Sequence, residues 1–266
     1  MFRAKLKRGR ESNCNICGNY AQMSWDHVPP KGGITPEPLE IKSIINSLTG
    51  TPEKGNVRDT QNGLKFRTIC DDCNNLIGRE YDPEINKVAF TVRRFLNSKL
   101  ILPQKVTLIV KPQRLMRSIV GHLIAASVSG SDANLGKEFK RFVLCRDSEL
   151  PSSADIFFWI HPYALTVVSR EIVQVSIRAP QEMHIMHLLK YFPVAYVCSD
   201  TEFSKTIPSL GQFRKLNFDA EVELEFDTKT IKYERWPETP SDQDGTAILL
   251  GANGAQGIAA TRKGRA

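Results

Sequence analysis

Cys14-Asn-Ile-Cys17 and Cys70-Asp-Asp-Cys73 are two Cys-x-x-Cys pairs that enclose a third motif, Trp25-Asp26-His27-Val28-Pro29-Pro30. Two such pairs in one chain are the usual way to hold a tetrahedral zinc ion. A zinc ion bound by four cysteines has no open position, so we predict a structural site at Cys14, Cys17, Cys70 and Cys73. The stretch from Cys14 to Asp82 therefore decides how the N-terminal part of the chain folds.

The Asp26-His27 pair lies between the two cysteine pairs, at the end of a run from Ala21 that is typical of a short strand. The prolines that follow end this strand, because proline cannot donate to a sheet ladder. A hydrolytic site needs a carboxylate that binds a metal and an imidazole that takes a proton. Because the four-cysteine zinc is closed, catalysis here requires a second metal ion.

These motifs resemble the HNH endonucleases of the ββα-metal (His-Me finger) type, in the variant whose finger is held by two Cys-x-x-Cys pairs. In that family the Asp-His pair ends the first strand and the second cysteine pair opens the helix. The resemblance covers roughly residues 13–82. It implies that His27 is the general base and that Asp26 binds a catalytic magnesium or manganese ion, since hard oxygen ligands favour these cations.

The resemblance also assigns roles to three asparagines. The family's metal-binding histidine follows the second cysteine pair, and this chain departs from the pattern because the position holds Asn74. An amide oxygen fits magnesium better than zinc or nickel. Asn75 is the next candidate for this ligand. The family's middle asparagine, which orients the general base, corresponds best to Asn62.

Positive charge is concentrated in the middle of the chain. The formal net charge is +7, and residues 91–150 contain 11 Lys and Arg against four Asp and Glu. Such a block next to the candidate site attracts phosphates, although it is also explained as a solvated face. The cations closest in sequence to the motifs are either phosphate contacts or solvated surface residues: Lys31, Arg67 and Arg79. We expect nucleic acid, DNA above RNA, as the substrate.

The fold class that we predict is α+β: a small zinc-stapled ββα-metal finger followed by an α+β domain with a mostly antiparallel sheet. We expect a basic leader (1–12), the finger (13–85), an α+β domain of unknown role (86–236) and a mobile tail (237–266). Helices are predicted within residues 41–48, after Cys73, from Asp82 and over 113–127. Strands are predicted over 106–110, 142–145, 156–161, 165–168, 172–177, 194–198 and 221–226.

The other cysteines and histidines are predicted to have structural or surface roles. Cys145 and Cys198 lie in apolar runs and are predicted to be buried thiols. His122 shares the apolar face of a predicted helix, which favours a core or groove histidine. His184 and His187 are three residues apart on a predicted short helix and have no acidic neighbour in sequence, so a surface pair is favoured over a metal site.

The sequence argues against membrane and secreted proteins. No apolar run approaches the ~18 residues of a transmembrane helix, and no apolar signal core follows the basic start. We therefore expect a cytoplasmic protein whose cysteines bind metal. Residues 86–236 are candidates for contact with a second copy of the chain or another protein.

Two alternatives to the nuclease hypothesis stay open. In one, the finger is a zinc ribbon that binds nucleic acid or protein and cleaves nothing. In the other, the activity resides in residues 90–236 and the finger is an accessory.

Overall fold

The computed structural model describes residues 5–34, 37–51, 58–99, 103–128, 135–177, 182–239, 245–250 and 256–263. The strands are β1 (Glu11–Asn13), β2 (Tyr20–His27), β3 (Leu39–Ser43), β4 (Arg58–Thr60), β5 (Lys65–Cys70), β6 (Lys105–Val110), β7 (Asp155–Ile160), β8 (Thr166–Ser176), β9 (Met183–Tyr191), β10 (Val194–Ser199), β11 (Val222–Asp227), β12 (Thr246–Leu250) and β13 (Gln256–Arg262). The helices are α1 (Ile44–Thr49), α2 (Asp71–Leu76), α3 (Asp82–Leu96), α4 (Pro112–Ala125) and α5 (Lys137–Leu144). A π-helical turn, Ile77–Tyr81, connects α2 to α3. None of the helices in these ranges is long and apolar enough to cross a membrane.

The N-terminal part is a three-stranded sheet, β1-β2-β5, followed directly by α2. In the antiparallel pair β2 and β5, Asp26 lies opposite Phe66 and His27 lies opposite Lys65. The register shifts between Ser24 and Asp26, and this bulge leaves Trp25 exposed and Asp26 buried. The predicted order of strand, strand and helix is therefore present.

The largest sheet has eight strands in the order β4-β3-β13-β8-β9-β10-β7, with β12 paired to β8. Every one of these pairs is antiparallel, which confirms the predicted α+β class. β7 and β10 are buried at every position, because their alternate residues belong to two hydrophobic clusters; α4 lies against β8 and β9 of the same sheet. A separate antiparallel pair joins β6 and β11.

The segment predicted to be a mobile tail contributes two strands to the large sheet, so this prediction was wrong for the part that the structure describes. β13 lies between β3 and β8, and β12 pairs with the second half of β8. The sequence pattern missed β13 because this strand is rich in small residues and its partners are distant in the chain. The large sheet contains strands from both sides of residues 85 and 236, and the predicted domain division itself stays a prediction.

Three other local predictions differ from the structure. Residues 142–145, predicted to be a strand, belong mostly to α5, where Phe139, Phe142 and Val143 are buried at helical spacing. The predicted strands 165–168 and 172–177 form one strand, β8, with an irregularity between Ser169 and Ile172. The predicted long loop over 31–64 contains the expected short helix, α1, but also β3 and β4.

The finger packs on the C-terminal end of α4, so the two parts share one core. Asn15 Nδ2 donates to the carbonyl oxygens of Ile124 (3.0 Å) and Ser127 (2.7 Å). The Thr68 hydroxyl donates to the carbonyl oxygen of Ala125. These bonds satisfy carbonyl groups that the last turn of a helix leaves without partners. The buried side chains of the finger belong to the same hydrophobic cluster as those of α3 and α4.

The position of β13 can be tested with one buried and one exposed residue of that strand. Ala260 is fully buried and the next residue, Thr261, is exposed. Ala260→Glu places an uncompensated carboxylate in the core and should lower the free energy of unfolding by about 3–5 kcal/mol. Thr261→Gln, which adds no second carboxylate opposite Glu40, should change it by less than about 0.5 kcal/mol. Denaturant unfolding of both variants measures this, and equal effects would contradict the placement of β13.

Candidate functional site

The four cysteines predicted to bind one ion lie together. Their Sγ atoms are all within 4.8 Å of one another, and the Sγ atoms of Cys17 and Cys70 are 3.8 Å apart. A tetrahedral zinc site with Zn–S bonds of ~2.3 Å has an edge of about 3.8 Å, so the group has the right size. The chain therefore brings together four cysteines that could hold a structural metal such as zinc. Cys198 is buried, as predicted, but Cys145 is only partly buried.

The surroundings of the sulfurs favour a bound cation. The backbone amides of Ile16 and Cys70 each lie 3.4 Å from Cys14 Sγ. A hydrogen bond from Cys73, aided by backbone amides and opposed by burial, lowers the pKa of the Cys14 thiol to about 4. Burial raises the pKa of the Cys70 thiol to about 11. A divalent ion allows all four groups to be thiolates, because it compensates the charge that burial and mutual repulsion disfavour.

His27 ends β2 in a half-buried position. The backbone of Asn62 is close enough to the imidazole to raise its pKa slightly. Nε2 is buried and has no hydrogen-bond partner among the described residues. Burial and then the charge of Lys65 lower the pKa of His27. The ring is therefore neutral at pH 7, and Nε2 is available to accept a proton. Asn62 acts on His27 through its backbone, and its predicted role in orienting the general base stays a prediction.

Asp26 lies beside His27 in sequence but points into the core, where a buried histidine binds it. His122 Nδ1 is 3.0 Å from Asp26 Oδ2, and His122 Nε2 is 2.8 Å from Asp82 Oδ1. Ser118 Oγ donates to the same Asp82 oxygen at 2.7 Å. The helices α3 and α4 thereby fix the orientation of the Asp26 carboxylate.

Both ring nitrogens of His122 face carboxylates, which sets the charge of the ring. Ionised carboxylates only accept hydrogen bonds, so His122 must carry a proton on each nitrogen. Burial by itself lowers the pKa of His122, but Asp26 and Asp82 outweigh it and raise this pKa to about 10. His122 is thus a core histidine, as predicted, with a role that the sequence did not reveal: it is a buried cation between two carboxylates.

Asn74 lies in α2 against the end of β2. Its Nδ2 donates to Ser24 Oγ (2.9 Å) and to the Trp25 carbonyl oxygen (3.2 Å). This arrangement leaves the amide oxygen without a hydrogen bond to any described residue. Asn75 is exposed. Of the two predicted ligands, Asn74 is therefore the one that the fold holds next to the Asp26-His27 pair.

The predicted second metal would have few protein ligands. Within the described ranges, the cysteine group is the only set of three or more His, Cys, Asp or Glu residues that could hold an ion. Asp26 Oδ1 and Asn74 Oδ1 are the oxygens that no described residue occupies. Magnesium commonly binds through one or two carboxylates and keeps several waters. These donors fit such an ion chemically, and the catalytic metal stays a prediction.

The three predicted phosphate contacts have different surroundings. Lys31 is exposed, and its charge is close enough to contribute to the lowered pKa of His27. The Arg67 guanidinium lies 5.3 Å from the centroid of the Trp25 ring. Arg79 has 79% of its side chain exposed and pairs with the adjacent Glu80 at 3.4 Å. Lys31 is thus the one of the three whose charge contributes to the lowered pKa of His27.

The prediction for His184 and His187 was wrong in both placement and surroundings. Both residues lie on strand β9, not on a helix. His184 Nδ1 is 2.8 Å from an oxygen of Asp200, and His187 is buried. The acidic partner was missed because it comes from a neighbouring part of the sheet. Sequence reasoning also missed Lys65 and the contacts of Asp82, although the polar Ser118 and His122 on an otherwise apolar helix face were a usable signal.

Comparisons with known proteins found no match to this chain. No family model matches the chain, and neither a curated protein nor a solved structure matches it.

The cysteine group predicts the metal content of the purified protein. We expect one zinc ion per chain by elemental analysis, and loss of that zinc with a lower unfolding temperature in Cys73→Ser. Cys198→Ser is the matched control, because Cys198 is equally buried but lies outside the group. Zinc retained in Cys73→Ser, or lost equally in the control, would contradict the site.

The ionic contacts of His122 predict an unusually large loss of stability on its removal. His122→Leu leaves two buried carboxylates without their cation and should cost about 3–5 kcal/mol of unfolding free energy. His161→Leu is the control: this histidine is also buried but has a single hydrogen bond, to the Leu165 carbonyl at 2.9 Å. Its removal should cost about 1–3 kcal/mol. Denaturant titration compares the two, and a smaller loss for His122→Leu would refute the assigned charge.

Proposed function

We propose that the protein is a metal-dependent endonuclease of the HNH type that hydrolyses phosphodiester bonds of nucleic acid, with DNA as the preferred substrate. The observation that carries the proposal is the placement of His27 at the end of β2, with a buried Nε2 that has no hydrogen-bond partner among the described residues; burial and nearby lysines also lower the pKa of this imidazole. It ends a strand that packs against a helix in the order strand, strand, helix. The four-cysteine group closes this finger, and zinc is the ion that we assign to it.

In this proposal His27 acts as the general base. In the tautomer that we propose, Nδ1–H faces the backbone carbonyl of Asn62. This contact leaves Nε2 unprotonated and fixes the orientation of the ring. Nε2 takes a proton from the attacking water as the oxygen approaches phosphorus. The imidazolium that forms is stabilised by Asp26, whose charge raises the pKa of His27 against the effects of burial and the nearby lysines.

Asp26 and Asn74 are the residues that would hold a magnesium or manganese ion. When bound, such an ion supplies positive charge to the phosphate oxygens and the leaving 3′ oxygen in the transition state. The chain contributes the position of the ligands: His122 holds one oxygen of Asp26, and Ser24 with the Trp25 carbonyl holds the nitrogen of Asn74. Both oxygens that stay available are thereby oriented by contacts inside the fold.

The lysines near His27 suit a phosphate substrate. Lys65 and Lys31 both contribute to the lowered pKa of His27, so their charges act at the same place. A phosphodiester is attracted to such a pair, and the attraction makes binding sensitive to salt. The same cations keep His27 unprotonated before the substrate binds.

Plasmid degradation tests the proposal. The parent protein should cleave plasmid DNA in magnesium or manganese and not in EDTA, and His27→Ala should reduce the rate by about 10²- to 10⁴-fold. His184→Ala is the matched control, because His184 lies on β9 and pairs with Asp200. Unchanged cleavage by His27→Ala would contradict the assignment of the base. DNA binding by the parent without cleavage in either metal would favour the zinc-ribbon alternative.

A further inference from the structure

An open groove lies beside His27. It has a volume of about 450 Å³ and is lined by the leader, the Trp25 position of β2, the first residue of β5 and the segment 59–63 between β4 and β5. Two of its lining residues lie near His27: Lys65 is opposite His27 in the sheet, and the backbone of Asn62 is close enough to affect the pKa of His27. A molecule in this groove would therefore lie next to the proposed general base.

Trp25 gives the groove an exposed aromatic surface. The side chain is 46% exposed, although it directly precedes the buried Asp26. The Arg67 guanidinium lies over the ring, and Arg67 Nη2 donates to the Arg8 carbonyl at 3.1 Å. These contacts hold the indole in one orientation before any ligand binds, so little conformational freedom is lost on stacking.

The charges around the groove suit phosphates. Lys7 and Lys65 line it, and Lys31 acts on His27 from nearby. The acidic residue of the groove, Asp59, is paired with Lys263. An aromatic platform between lysines is the usual combination in proteins that bind single-stranded nucleic acid, where bases stack and cations follow the backbone.

From this geometry we infer that the groove binds a nucleic acid segment with an unpaired base, which stacks on Trp25 while its phosphates contact Lys7 and Lys65. A paired base inside a duplex has no free face for the indole, so the groove's ligand is a single strand or an unpaired segment of a larger molecule, including the unpaired segments of a supercoiled plasmid. The inference rests on the proposed function, because that function brings the phosphate next to His27. The shared chemistry is an unpaired base with its phosphates, from DNA or RNA.

Binding without cleavage tests the inference. Full-length, zinc-loaded protein carrying His27→Ala, without added magnesium or manganese, is titrated against three fluorescein-labelled oligonucleotides of one sequence: single-stranded DNA, single-stranded RNA and blunt duplex DNA. Anisotropy should show tighter binding of a single strand than of the duplex. Adding Trp25→Ala should weaken single-strand binding about 5- to 150-fold, the effect of one lost stacking contact, and leave duplex binding nearly unchanged.

Two further variants separate stacking from general damage. Trp25→Phe should keep most of the single-strand affinity, because a phenyl ring also stacks. Tyr20→Ala should have no effect, since Tyr20 is 70% exposed on the same strand but does not line the groove. Equal weakening of single strand and duplex by Trp25→Ala, or the same loss in Tyr20→Ala, would overturn the inference. The binding assay does not measure cleavage. A parent protein that fails to cut DNA would therefore refute the nuclease proposal, while the binding data would still test whether the groove binds an unpaired base.

Discussion

A buried imidazolium between two carboxylates connects the finger to the rest of the molecule. His122 binds Asp26 of the finger on one side and Asp82 at the start of α3 on the other. Buried charges are costly unless each is paired, so the three groups must stay together in the folded state. The contact fixes where β2 lies relative to α4, and the Asp26-His27 pair takes its orientation from it. The proposed catalytic residues therefore depend on helices outside the finger.

Both the cysteine group and the contacts with α4 stabilise the finger. A finger with few hydrophobic residues normally needs a metal to fold, and the four sulfurs here are close enough to share one. The finger is also held by its bonds to the end of α4, through Asn15 and Thr68. A metal bound there would stabilise the end of β5 and the first turn of α2, while α4 supports the face that carries Asp26.

Local sequence patterns predicted the strand and helices that carry the site. They could not predict contacts between residues that are distant in the sequence. The end of β2 at His27 and the apolar face of α4 follow from proline and helical spacing. The helix predicted after Cys73 is present but begins earlier, at Asp71. The contact of Asp26 with His122 joins residues 96 positions apart, and no local pattern specifies it. The same reason explains β13: its place between β3 and β8 depends on partners from distant parts of the chain.

The central claim is that one chain holds two different ions, a closed zinc among thiolates and a hard cation beside Asp26. Anomalous diffraction from crystals soaked in manganese, recorded at the zinc and manganese absorption edges, tests it most directly. The account predicts a zinc peak between the four Sγ atoms and a separate manganese peak next to the oxygens of Asp26 and Asn74. A manganese peak elsewhere, or none at saturating manganese, would contradict it.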